Sequence, residues 1–227
     1  MPATNDNPIR CLITAGPTRE YLDPVRFLTN ASSGKMGYAL AEKAVGMGWD
    51  VDLVSGPVAL QPARGVRIHS VVSADDMFTM VKPLFRACDV LFMVAAVADY
   101  RPVHRAAQKM KKTTRQSSVN LVRTADILTS LATEKKNQVV VGFAAETNDL
   151  EEYALRKLAD KRLDWIVAND ISRPDVGMEV DDNRIILLSS AGVRMPFGPA
   201  PKSEVATFIL ENVRACVESV QATVHQD

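Results

Sequence analysis

Residues 14–44 read TAGPTREYLDPVRFLTNASSGKMGYALAEKA, with Gly34 and Gly37 at the start of a helical pattern and Ser32-Ser33 just before them. Serine at a helix start can cap it. Glycines there let a phosphate reach backbone N–H groups and the positive end of the helix dipole. The same glycines would equally serve close helix–strand packing, so both readings stand. The loop is not a P-loop, because Met36 follows Gly34-Lys35 and Thr29 stands where the first glycine belongs. Nothing between Gly16 and Gly37 matches the dinucleotide fingerprint either. Arg26 and Asn30 share this loop. An arginine offers a planar fork to phosphate or carboxylate, and an asparagine offers amide donors to a developing oxyanion. An exposed arginine and an ordinary turn asparagine are the plainer alternatives.

A second group follows the apolar run 89–97. Asp99 lies just past it in AAVADYRP. A carboxylate there can hold Mg2+ between phosphates or simply cap a turn. Residues 100–118 then carry Arg101, Arg105, Lys109, Lys111, Lys112 and Arg115 with no acid among them. Such a cluster is a potential sink for a polyphosphate, or a solvated basic loop. In the third group, VGFAAETNDLEEYALRKLADK at 141–161, Lys157 and Lys161 stand four apart on one helical face. Phe143 there can pack on a base or fill the core, and Asn169-Asp170 end the next strand in a similar position.

These groups need a scaffold that brings strand ends together. Short apolar runs at 9–15, 50–54, 89–97, 138–145 and 164–168 predict strands buried on both faces. Helical periodicity at 35–47, 74–87, 125–136 and 149–162 separates them. The alternation predicts an α/β fold: a mostly parallel sheet with helices on both faces, whose ligands bind at the carboxyl ends of the strands. Residues 183–197, turning at Ala191-Gly192, predict a late β-hairpin, and a final helix is expected over about 202–217. Residues 16–34 and 101–118 are expected as long loops, functional or mobile.

With 227 residues, and domains of roughly 150 residues as the prior, no linker or repeat divides the chain. One domain over 9–218 is expected, with flexible ends at 1–8 and 219–227. Lys plus Arg number 27 and Asp plus Glu 27. The balance argues against a nucleic-acid coat or a polybasic membrane binder. Three cysteines without a CxxC pattern form neither a disulfide framework nor a zinc site. The N-terminus lacks an apolar signal core and no apolar stretch is long enough to span a bilayer, so a cytoplasmic protein is expected.

Taken together, ITAGPTREYLDPVRFLTNASSGKMG, AAVADYRP with KMKK, DIL, VGFAAETND and IVANDI resemble phosphopantothenoylcysteine synthetase, also called phosphopantothenate–cysteine ligase, over roughly residues 9–213. In many bacteria this is the C-terminal half of a bifunctional coenzyme A biosynthesis flavoprotein; the chain resembles a stand-alone form, with no flavin expected. The resemblance implies a modified Rossmann-like fold, a homodimer with loops from both chains at each site, and a ligase joining 4′-phosphopantothenate to L-cysteine. CTP and Mg2+ would drive it through an acyl-cytidylate, releasing pyrophosphate and then CMP. By resemblance Lys109, Asn30 and Arg26 are catalytic and Asp99 serves nucleotide and metal. Gly16, Ser33, Gly34, Ala95, Lys109, Ala125, Asp126, Ile127, Phe143, Lys157 and Lys161 are the further nucleotide contacts. Where the family usually reads Asn-Pro before Asp126, Thr124-Ala125 stand here, which predicts a looser loop; Ala31 replaces a frequent His or Arg. An ATP-using ligase and a nicotinamide-dependent oxidoreductase are the alternatives. The second needs a glycine fingerprint that the chain lacks.

Overall fold

A computed structural model describes residues 7–111, 118–146, 149–170 and 182–224. The expected flexible residues 1–6 and 225–227, and Lys112 and Arg115 of the basic stretch, lie outside the described residues. In chain order the elements are β1 (Arg10–Ala15), β2 (Arg19–Tyr21), β3 (Phe27–Thr29), α1 (Lys35–Gly46), β4 (Asp50–Ser55), β5 (Arg67–Ser70), α2 (Ala74–Ala87) and β6 (Val90–Met93). There follow β7 (Tyr100–Pro102), β8 (Leu121–Arg123), α3 (Ile127–Ala132), β9 (Val139–Glu146), α4 (Leu150–Asp160), β10 (Trp165–Asp170), β11 (Asp182–Ser189), β12 (Arg194–Pro201) and α5 (Lys202–Val224).

The main sheet has the order β12-β11-β10-β9-β6-β1-β4-β5. Its six strands from β10 to β5 run parallel, and β11 and β12 close it as an antiparallel hairpin. Alternating residues of one strand feed two cores, because successive side chains leave a strand on opposite faces. Cys11, Ile13 and Ala15 of β1 pack with Leu40 of α1 and Ile209 of α5. Leu12 packs on the other face with Phe85 of α2, Leu131 of α3 and Leu158 of α4. Strands covered on both faces in this way read as continuous apolar runs, and the runs in the sequence mark β1, β4, β6, β9 and β10.

Several boundaries differ from the sequence-based expectation. The apolar run 89–97 is a strand only to Met93. Beyond it, Val94 and Ala95 donate to the Thr14 hydroxyl, and Ala96 donates to the Gly16 carbonyl. The chain thereby leaves the ladder and forms a wall above the sheet. The helix expected over 125–136 is only Ile127–Ala132, capped by Asp126, whose Oδ1 accepts from Thr129 N at 2.9 Å. Edge strand β5 has no signal, because it is short, polar and largely exposed. The last helix continues to Val224, so residues 219–224 are helical rather than a flexible end. Both long loops carry small hairpins: β2 pairs with β3, and β7 with β8.

Candidate functional site

Gly34 begins the site. It is the N-cap of α1 with φ 77°, a left-handed conformation that glycine adopts without strain. Glycine offers no side-chain cap of its own, and Ser32 Oγ accepts from Gly34 N at 3.4 Å just ahead of the helix. Gly37, one turn in, lets α1 lie on β1: a Cβ there would stand 2.6 Å from that of Ala15. Gly37 therefore serves packing and Gly34 serves the turn, and both line a cleft lobe of about 340 Å³. That lobe crosses the carboxyl ends of β1, β6, β9 and β10, the place where parallel α/β sheets bind ligands. Gly16, Asn30, Ser32, Asp99 and Asn169 line it too.

A second lobe of about 480 Å³ lies against α3 and α4. Ala125, Asp126, Ile127, Lys157 and Lys161 line it. Ala95, Asp99, Phe143 and Lys157 belong to both lobes, so the wall 95–99 and the end of β9 join them into one cleft. Lys157 Nζ donates to the Phe143 carbonyl at 2.7 Å. Lys161 Nζ pairs with Asp126 and donates to Thr129 Oγ1 at 2.8 Å. Burial pushes the Asp126 carboxyl up, but the hydrogen bonds from Lys161 and Thr129 outweigh it and leave the group below its ordinary range. The loop expected to loosen where Thr124-Ala125 replace Asn-Pro is tied down instead. Thr124 Oγ1 donates to Ala98 O at 2.6 Å, and Thr124 N to Asp99 O at 2.9 Å.

Asn30 spends its amide donors on the cleft wall. Both amide hydrogens are used, at 3.1 Å each, by the carbonyls of Ala96 and Val97. Its side-chain oxygen is what remains for a ligand. Asp99 is exposed, and no cluster of three or more metal-binding side chains occurs among the described residues. One carboxylate of this kind suits Mg2+ held mainly by phosphates and water, since Mg2+ sheds its waters reluctantly.

The structure does not bring every expected residue together. Lys109 is exposed and lines neither lobe. Arg26 is also outside both, with its guanidinium on Asp23 and on the Met110 carbonyl at 2.9 Å. Ser33 stands off the lining, where Ser32 takes its place. Sequence reasoning also missed Asn183 and Lys202, which are nearly buried at the far end of the first lobe. Asn183 donates to Asn169 Oδ1 at 3.1 Å, and its own Oδ1 has no partner among the described residues. Both residues stand in sequence at the bounds of the late hairpin, far from any motif, so only folding reveals them. Another groove, at the opposite end of the sheet, carries charges already paired as Arg10–Asp89 and Arg86–Glu134.

Fold and cleft define a doubly wound α/β protein with a polar ligand cleft at its strand ends. Residues 7–217 match the family described as the DNA/pantothenate metabolism flavoprotein C-terminal domain, and the chain belongs to that family. It is 46% identical over 205 residues to the coenzyme A biosynthesis bifunctional protein CoaBC of Bacillus subtilis (strain 168), covering 90% of this chain and 50% of the relative. The chain thus spans about half the length of the curated relatives it matches. The crystal structure of the C-terminal domain of a CoaBC protein superposes with a TM-score of 0.80 at 44% identity, covering 93% of this chain and 96% of the other. The Cab2 mutant H337A in complex with phosphopantothenate-cysteine shares the fold, with a TM-score of 0.78 at 18% identity over 96% of this chain and 89% of the other.

Proposed function

We propose that this chain is a phosphopantothenate–cysteine ligase of coenzyme A biosynthesis, acting in the cytoplasm as a homodimer with CTP and Mg2+. The observation that carries the proposal is the cleft with two lobes sharing one wall, 95–99, in a member of this family. Two reactants bound in adjoining lobes would meet at that wall. The nucleotide takes the lobe of Asp126, Lys157 and Lys161, and its phosphates run toward Gly34 and Ser32.

A carboxylate is a poor acyl group until its oxygen carries a good leaving group. The acid's carboxylate oxygen attacks the α-phosphorus of CTP, the bond from that phosphorus to the α,β-bridging oxygen breaks, and the β and γ phosphates leave as pyrophosphate. The cysteine amine then attacks the acyl carbon, CMP leaves with the bonding electrons, and the amine proton is released. Asp99 would hold Mg2+ together with the phosphates, and the ion would neutralise part of their charge. Lys109 supplies a cation to the first step, stabilising charge that grows on the phosphorus oxygens. Asn30, through its side-chain oxygen, accepts a hydrogen bond from the attacking amine and orients it. No covalent nucleophile of the protein is needed. Because Lys109 and Arg26 stand outside their own cleft, a second copy completing the site is the natural assembly.

Pyrophosphate release is the test. It should appear with phosphopantothenate and CTP alone, and amide and CMP should follow when cysteine is added. Folded protein that stays silent under both conditions would overturn the ligase reading. Release with ATP but not CTP would overturn the choice of nucleotide only.

A further inference from the structure

Asp23 is fully buried, yet it is surrounded by donors rather than by core. Its Oδ1 accepts from Val25 N and Arg26 N at 2.8 Å each. Its Oδ2 accepts from Arg26 Nε at 2.9 Å, from Arg26 Nη2, and from Met110 N at 3.2 Å. Arg26 in turn donates to Met110 O at 2.9 Å. Both backbone groups of Met110 are thus held by one ion pair that lies more than eighty positions away in the chain. Two further links run alongside: Ala106 N donates to Leu22 O at 2.8 Å, and the Arg105 guanidinium sits 4.7 Å from the Tyr21 ring centroid. The stretch 105–110 is therefore strapped to the β2–β3 hairpin, with exposed Lys109 next to the point of firmest attachment.

From this geometry we infer that Asp23 is a positioning residue, which with Arg26 clamps Met110 and so presents the Lys109 ammonium in a fixed place. The inference rests on the catalytic reading of Lys109. A carboxylate suits the task because it accepts several hydrogen bonds at once and orients the arginine fork, whose Nη2 also reaches the Met110 carbonyl. A lysine on an untethered loop would sample many positions, and misplacement by about 1 Å can cost on the order of a hundred-fold in rate.

The test is a double-mutant cycle joined to hydrogen exchange. Asp23→Asn keeps the shape and loses the charge. Arg26→Lys keeps a cation beside the buried carboxylate but loses the planar fork that reaches Met110 O, so this variant should fold even if the first does not. Each is expected to speed exchange of the Met110 amide and to slow pyrophosphate release by about ten-fold or more, with KM for CTP changing less than about two-fold. In a Lys109→Ala background neither should add more than about two-fold, since residues acting through one group are not additive. Effects that multiply, or a Met110 amide exchanging at the wild-type rate, would overturn the inference. If wild-type protein releases no pyrophosphate, the ligase reading fails, and the exchange measurement alone decides the clamp: faster exchange supports it and unchanged exchange rejects it.

Discussion

Thr14→Val would remove one oxygen from the point on which the cleft wall hangs. Thr14 is fully buried in β1. Its hydroxyl accepts from Val94 N at 3.0 Å and Ala95 N at 3.1 Å, and donates to Met93 Sδ at 3.4 Å. Valine matches the shape but accepts nothing, so both amides lose their partner. An orphaned buried donor costs about 1–3 kcal/mol. Val94 and Ala95 are half-buried, so water can partly replace the hydroxyl, and the low end applies: about 2 kcal/mol for the pair. In a protein of this size that lowers Tm by about 4–8 °C. Thr18 provides an internal scale. It is equally buried, but its hydroxyl accepts from Ala98 N alone, at 3.0 Å. Thr18→Val orphans one amide, but Ala98 is itself buried, so water cannot replace the hydroxyl and the loss should lie in the upper part of the range, about 2–3 kcal/mol. Thr14→Ser keeps the acceptor and should preserve the wall. The assay is urea unfolding with an unchanged m-value, together with KM for CTP, which should rise as the wall loosens. A loss below about 0.5 kcal/mol for either Thr14→Val or Thr18→Val would refute the reasoning.

Three further outcomes are expected. Asn30→Ala should still release pyrophosphate while amide formation stalls and acyl-nucleotide accumulates on chromatography; full turnover would contradict the role given to Asn30. Cys11 and Cys88 should resist thiol reagents in the native state while the partly exposed Cys216 reacts, because burial pushes the Cys88 thiol up to about 12 and raises Cys11 as well; three thiols titrating together without denaturant would refute this. Stability should decline as pH falls below about 4, the ordinary carboxylate range. The carboxyls of Asp23, Glu134 and Glu151 are held below that range by hydrogen bonds from Arg26, from Lys82 and Arg86, and from Arg194. A depressed group binds fewer protons folded than unfolded, so its contribution is intact above the unfolded pKa and lost below it. Denaturant midpoints that stay flat from pH 6 to 3 would count against those pairs.

Sequence alone determined the kind of scaffold and where along the chain its ligand cleft must form. Doubly buried strands need continuous apolar runs and covering helices need amphipathic ones, and both patterns are local. Thus β1, β9 and α2 could be placed to within a residue or two, and the motifs at Gly34, Asp99 and Phe143 all reach one cleft lobe. Side-chain partnership was not local, and only tertiary structure decided it. The run through Val97 looks like one strand until the Thr14 hydroxyl takes two of its amides. Arg26 looks like a free fork until Asp23 and Met110 occupy it. Asn30 looks like a donor until two wall carbonyls use both its hydrogens. Asn183 and Lys202 join the cleft only because β11 lies beside β10 and α5 returns across the sheet. Hydrophobic periodicity is written along the chain, whereas hydrogen-bond satisfaction is settled between segments that meet only when the chain folds.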